Sequence, residues 1–340
     1  MFHTSRRKVM QVRVTGRFAS TVAMPPGLIT HTPLLESATL SAMAHTRVML
    51  KLDSLQPSGS FKDRGMAYMC SKLREHGASR LICSSGGNAG HAVAAMGRRL
   101  GMEVKVVVPI TTKRIMLDKI RAQGADVTVH GANWNEADAL AHKLVAADPS
   151  AEYIPPYEHE LLWEGHSSII DELVRSNVDK PGAIIASVGG GGLLNGLFLG
   201  LRRHGWSDVA VISAETDGAN CFAAAFEAGK PVRLDAIDSI ATSLGALQCS
   251  PTTLQLASEH TAGTHALTVS DAEAVNACAL LLNEHRLLVE PACGAALAIL
   301  TAERHRSLLM AHESVVVVVC GGSGVDWSIM EQWRSEGLWA

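Results

Sequence analysis

No apolar run in this 340-residue chain approaches the roughly 18 residues that a membrane-spanning helix needs. The longest β-branched stretch, Val315 to Val319, suits a buried strand instead. An excess of one charge is also missing. Thirty Lys and Arg against 33 Asp and Glu give a net charge of −3, which leaves no electrostatic footprint for nucleic acid. Charged residues make up only 19% of the chain and apolar ones 47%, the reverse of a disordered composition. The seven cysteines include no C-x-x-C pair, and no two lie closer than thirteen positions. That removes a zinc or redox motif and a small secreted disulfide framework, and it reads as buried, reduced thiols. No internal repeat and no low-complexity block occurs.

Acid is absent from residues 1–35, and the first 24 residues carry Arg6, Arg7, Lys8, Arg13 and Arg17 among Ser and Thr. This basic N-terminal extension, residues 1–24, reads either as a transit-like segment or as an inert tail. The expected location is the cytoplasm, or the mitochondrion if residues 1–23 are a transit peptide.

What the chain does contain is glycine, thirty of them, which points to tight turns and close approach of backbone to ligand. From Arg47 onward, near-continuous apolar strands alternate with helix-like segments. VMLKLD, LICSS, VKVVVP, DVTVH, AIIASV, VAVISAE and VVVVVC read as strands. The spacing predicts helices over 62–76, 88–100, 112–123 and 194–204, the first three closed by Gly77, Gly101 and Gly124. The expectation is an α/β chain of two doubly wound open parallel-sheet domains with a ligand cleft between them. The divisions fall before Pro57 and at the proline-containing YIPPYEHE. They give a large domain of residues 25–55 and 160–340 and a small one of 56–159.

Four turns carry chemistry. PSGSFKDRG places Lys62 at the head of a helix, where the positive end of the dipole lowers an amine's pKa toward the neutral form that Schiff-base chemistry needs. SSGGNAG follows a strand and opens a helix, an arrangement that suits a carboxylate or phosphate, or a plain N-cap. Gly189 to Gly192 with Leu193 forms a backbone nest for phosphate. It is neither a dinucleotide fingerprint, since position 194 is Leu, nor a P-loop, since no Gly-Lys-Ser/Thr follows. CGGSG places the Cys320 thiol at the carboxyl end of a strand. An amine, a carboxylate site, a phosphate nest without a nucleotide signature and a polar group facing a ring are what pyridoxal phosphate requires.

In this combination and order PSGSFKDRG, SSGGNAG, SVGGGGL, EPACGAA and CGGSG resemble the fold-type II pyridoxal-phosphate enzymes, most closely the L-serine/L-threonine dehydratases. WEGHSSI and AETDGA are similar to that subgroup as well, and the resemblance runs from about Thr32 to about Ser323. The resemblance implies that Lys62 carries the cofactor covalently and takes the substrate's Cα proton. Phe61 would cover one ring face, and Ser243 would stand on the other in place of a small apolar residue. Asn88 would bond the ring's 3′ oxygen. Ser85, Gly86, Asn88 and Ala89 would bind the substrate carboxylate. Gly189, Gly190, Gly191, Gly192 and Leu193 would hold the phosphate, and Cys320 would face the pyridine nitrogen. Gly86 stands where the more active branch of the family has alanine. A monovalent cation such as K+ would sit at Gly189, Glu215, Ala219, Leu244 and Ala246, and the assembly would be a homodimer.

The implied activity is β-elimination of L-serine to pyruvate and ammonia, with L-threonine going to 2-oxobutyrate. A thiol pulls on a pyridinium less than a carboxylate does, which favours fast elimination over transamination. Serine racemase or another enzyme of the same fold is the nearer alternative, although β-replacement enzymes usually carry Ser or Thr at the Cys320 position. A nucleotide-dependent oxidoreductase is the remoter one, and the missing G-x-G-x-x-G counts against it.

Overall fold

The structure, a computed structural model, describes residues 21–176 and 178–339. Residues 1–20 of the basic extension, and with them most of the transit-peptide reading, lie outside the described residues. Among the described residues ten strands build two sheets: β1 (Leu34–Glu36), β2 (Arg47–Lys51), β3 (Arg80–Cys83), β4 (Glu103–Val108), β5 (Asp126–Val129), β6 (Ala151–Tyr153), β7 (Ala183–Ser187), β8 (Ala210–Thr216), β9 (Thr264–Val269) and β10 (Ser314–Val318). The larger sheet has the order β1-β2-β10-β7-β8-β9 and the smaller β5-β4-β3-β6.

Pairing is parallel throughout except at one edge, where β1 runs antiparallel to β2 with Leu34 opposite Lys51. That is the one departure from the all-parallel expectation. β1 is only three residues long, and the short link to β2 leaves no room for a full crossover of a dozen or more residues.

Side-chain alternation explains the layering. Every residue of β7 and β8 is buried, so both faces of the large sheet are covered, as parallel strands require. In the small sheet Leu81, Cys83, Val106 and Val108 enter one core, while Ile82 and Val107 join Ala137 and Ala141 on the opposite face. Leu28, Leu162 and Trp163, which the sequence division placed with the large domain, pack into the first of these cores.

A buried ionic cluster lies behind the Lys62 helix (Lys62–Glu75). Arg64, fully buried, binds Asp53 on one side at 2.6 Å and Glu172 on the other at 2.7 Å. Lys51 bonds the same Glu172, and Thr32 donates to Asp53. Burial opposes the charge on Arg64, but the two carboxylates hold the guanidinium firmly ionised. Burial likewise works against the Glu172 anion, and Arg64 and Lys51 overcome it. Two cations and two anions balance, which is what makes burial of all four tolerable.

Candidate active site

The carboxyl ends of β3, β4, β7 and β10 converge on a crevice of about 780 Å³ between the two sheets. Phe61, Lys62, Ser85, Gly86, Asn88, Ala89, Gly189 to Leu193, Ser243 and Cys320 all line it. Residues far apart in sequence are therefore brought to one place, at the position open parallel sheets reserve for ligands.

Lys62 is the first residue of its helix. Its amine donates to the Pro156 carbonyl at 2.6 Å and lies 5.1 Å from the centre of the Phe61 ring. Burial pulls the ammonium down from its ordinary 10.5 to about 8, while Cys83 and Cys320 work weakly the other way. The lowered value was expected from the helix dipole, yet desolvation is the largest cause. Asp63, next along, accepts from the Ser58 amide at 2.7 Å and pins the turn that aims Lys62. Phe61 is backed by the buried His166 ring, 4.9 Å away and tilted by 54°. Its own amide donates to the Cys320 carbonyl at 3.0 Å, which ties the Lys62 loop to the β10 turn.

The glycine loop is compressed from behind, and this explains its composition. A Cβ on Gly190 would overlap the Tyr157 ring, and one on Gly191 would overlap the Thr253 side chain. A Cβ on Gly192 would come within 2.9 Å of the Tyr157 carbonyl oxygen. Gly191 also has φ +96°, a conformation that L side chains rarely adopt. The loop opens the helix Gly192–Arg203, whose first amides have no intrahelical partner and face an anion readily. The residues present fit a phosphate.

Gly87 caps the helix Asn88–Leu100, making the second such cradle. Gly86 is crowded by Thr112, whose Cγ2 lies 2.6 Å from where a Cβ would be. The Asn88 side-chain oxygen, Oδ1, accepts from the Ser323 amide at 2.9 Å. Cys320 is nearly fully buried, with its sulfur 3.7 Å from the Ser187 hydroxyl.

Of the five positions implied for a cation, Gly189, Leu244 and Ala246 line the crevice and Glu215 and Ala219 do not. Glu215 is buried, and its two oxygens accept from the amides of Phe222 and Ala223 at 3.0 and 2.7 Å. Burial raises its carboxyl to about 8 against those two bonds. The Cys221 thiol links this helix start to the Gly189 carbonyl at 3.5 Å. Among the described residues no group of three or more His, Cys, Asp or Glu could hold a metal ion. A site here would draw on hard backbone oxygens, a donor set that suits a hard monovalent ion.

Several wall residues were not singled out from sequence. Pro156 and Tyr157 had been read as a domain boundary, yet they contact Lys62 and the glycine loop. Ser187 was noticed only as the first residue of SVGGGGL, and Thr253, which packs behind Gly191 rather than on the wall itself, carried no motif. Glu290 was noticed only within EPACGAA, although an acid immediately before a helix-starting proline was a signal that could have marked it.

A partly neutral amine set between two backbone anion cradles at strand ends defines the class: an enzyme that holds a phosphorylated carbonyl compound on lysine and an acidic small molecule beside it. The chain belongs to the pyridoxal-phosphate dependent enzyme family, whose model matches residues 26–321. The oxidoreductase reading falls with that finding. An L-serine dehydratase/L-threonine deaminase of Homo sapiens is 45% identical over 301 residues, covering 87% of this chain and 91% of that protein. A serine dehydratase-like protein of Homo sapiens is 43% identical over the same length, with the same coverage. The crystal structure of a fungal L-serine ammonia-lyase from Rhizomucor miehei superposes with a TM-score of 0.85 at 37% identity, covering 91% of this chain and 99% of that one.

Proposed function

We propose that the protein is an ammonia-lyase that converts L-serine to pyruvate and ammonia and L-threonine to 2-oxobutyrate and ammonia. The observation that carries this reading is the Lys62 amine, its pKa lowered by burial to about 8, set between a phosphate cradle and a carboxylate cradle. The likeness of the chain to a relative named for both substrates, and to a fungal enzyme named for L-serine, supports the same choice.

Pyridoxal phosphate, when bound, supplies an electron sink for the carbanion at the substrate's Cα. Lys62 would carry it, the amides of Gly189 to Leu193 would hold its phosphate, and Phe61 and Ser243 would enclose its ring. Asn88 and Cys320 would meet the ring's polar atoms. Ser85, Gly86, Asn88 and Ala89 bind the substrate carboxylate through helix-start amides and fix the Cα–H toward Lys62. The Lys62 nitrogen then accepts that proton. The Pro156 carbonyl, 2.6 Å from the nitrogen, keeps the amine's lone pair and hydrogens oriented. The low dielectric that lowers the amine's pKa also strengthens each of these contacts.

We further infer a monovalent cation beside Glu215 and the carbonyls of Gly189, Ala219, Leu244 and Ala246, supported by the burial of that carboxylate and by the place of Gly189, Leu244 and Ala246 on the crevice wall. A homodimer and a cytoplasmic location are carried as proposals too, the latter supported by seven free, buried thiols. The deciding experiment is a pair of coupled assays for pyruvate and 2-oxobutyrate with serine and threonine in competition, alongside Lys62→Ala. Release of both keto acids by the wild type, and of neither by the variant, supports the reading. Chiral detection of D-serine without keto acid would replace it with a racemase.

A further inference from the structure

Among the described residues lining the crevice, Glu290 is the only carboxylate, and none of the chemistry above uses it. It is 6% exposed and sits at the start of the helix Pro291–Thr301, where the field of the helix favours an anion. Its Oε1 accepts from the Gly324 amide at 2.5 Å. Its Oε2 accepts from the Asn88 side-chain nitrogen at 2.9 Å and from the Ser243 hydroxyl. Three donors from three separate segments of the chain thus meet on one carboxylate, and the serine found where an apolar residue was expected is one of them.

The consequence for Asn88 is directional. The Ser323 amide can only donate, so the atom facing it at 2.9 Å must be the Asn88 oxygen. A carboxylate can only accept, so the atom facing Glu290 must be the nitrogen. Flipping the amide would break both contacts and set like against like. Of the two hydrogens on that nitrogen, Glu290 takes one. The other has only a long contact of 3.3 Å to the Ser243 oxygen, and it is the one left for an acceptor in the crevice.

We propose that Glu290 is a positioning residue that holds the Asn88 amide with its N–H turned into the crevice, as donor to the cofactor's ring oxygen. This rests on the reading of the crevice as the cofactor site. Without Glu290 only the Ser323 donors still order the Asn88 side chain, and a turn that points its oxygen inward, where it would repel a negatively charged ring oxygen, costs one contact fewer.

The test uses holoenzyme without substrate. Wild type, Glu290→Gln, Asn88→Ala and the double variant are compared at one pH for cofactor affinity and for the ratio of the near-ultraviolet to the visible absorption band, which reports whether the ring oxygen holds the proton. Glutamine keeps the side-chain volume but offers one acceptor oxygen instead of two. Glu290→Gln and Asn88→Ala should each weaken cofactor binding by roughly five- to tenfold, the equivalent of one hydrogen bond. Both should move the band ratio in the same direction, the double variant should match Asn88→Ala alone, and Glu290→Asp should restore more than half of the effect. A wild-type spectrum for Glu290→Gln, additive effects in the double variant, or band shifts of opposite sign would each overturn the proposal. Failure of the wild type to fix cofactor on Lys62 by borohydride would instead remove the cofactor-site reading, and this inference with it.

Discussion

The state of the Lys62 amine sets how fast the apoenzyme captures its cofactor, because only a neutral amine attacks an aldehyde. An ordinary lysine at 10.5 is neutral to about 0.03% at pH 7. At the value of about 8 that burial gives Lys62, the neutral share is about 9%, an increase of roughly 300-fold. The pH profile follows with a definite sign. Between pH 6.5 and 7.5 the neutral share rises about eightfold, and between pH 9 and 10 it gains only about a tenth. Mixing apoenzyme with pyridoxal phosphate in a stopped-flow instrument and following the visible band should give a capture rate that climbs with pH and levels off just above 8. A rate still climbing eightfold between pH 9 and 10 would show an unperturbed lysine, and the argument from burial would be wrong.

Gly191→Ala forces a Cβ into the Thr253 side chain at φ +96°; equilibrium dialysis should show cofactor affinity reduced by roughly tenfold or more, from about 1–2 kcal/mol of backbone strain plus the overlap. Unchanged affinity would mean the loop does not hold the phosphate. Arg64→Ala strands the buried carboxylates of Asp53 and Glu172 and should cost about 3–5 kcal/mol of stability in denaturant unfolding; a loss below about 1 kcal/mol would show that the cluster is hydrated. Cys320→Asp places a carboxylate at the β10 turn. Product analysis should then show a larger share of transamination, and unchanged partitioning would detach Cys320 from reaction choice.

How legible these features were in the sequence depended on where their causes lie. Asn88–Leu100 was readable to the residue because a glycine N-cap and Gly101 at φ +67° mark its ends locally. The helix after the glycine loop begins two residues earlier than its apolar pattern suggested, since Gly192 and Leu193 are already helical. The motif-borne residues Lys62, Asn88 and Cys320 were legible because each sits in a turn whose glycines are themselves a signal. Pro156, Tyr157 and Thr253 were not. Their importance is steric and arises only when distant segments are pressed against the glycine loop. The Arg64 cluster is hidden for the same reason, because Asp53 and Glu172 are 119 positions apart (172 − 53) and nothing local pairs them.

The most direct measurement is borohydride reduction of the yellow holoenzyme, followed by digestion and peptide mass spectrometry. A single pyridoxyl mass increment on the peptide bearing Lys62, with loss of the visible band, is the expected result. An unmodified Lys62 peptide, or an increment on any other lysine, would contradict the account.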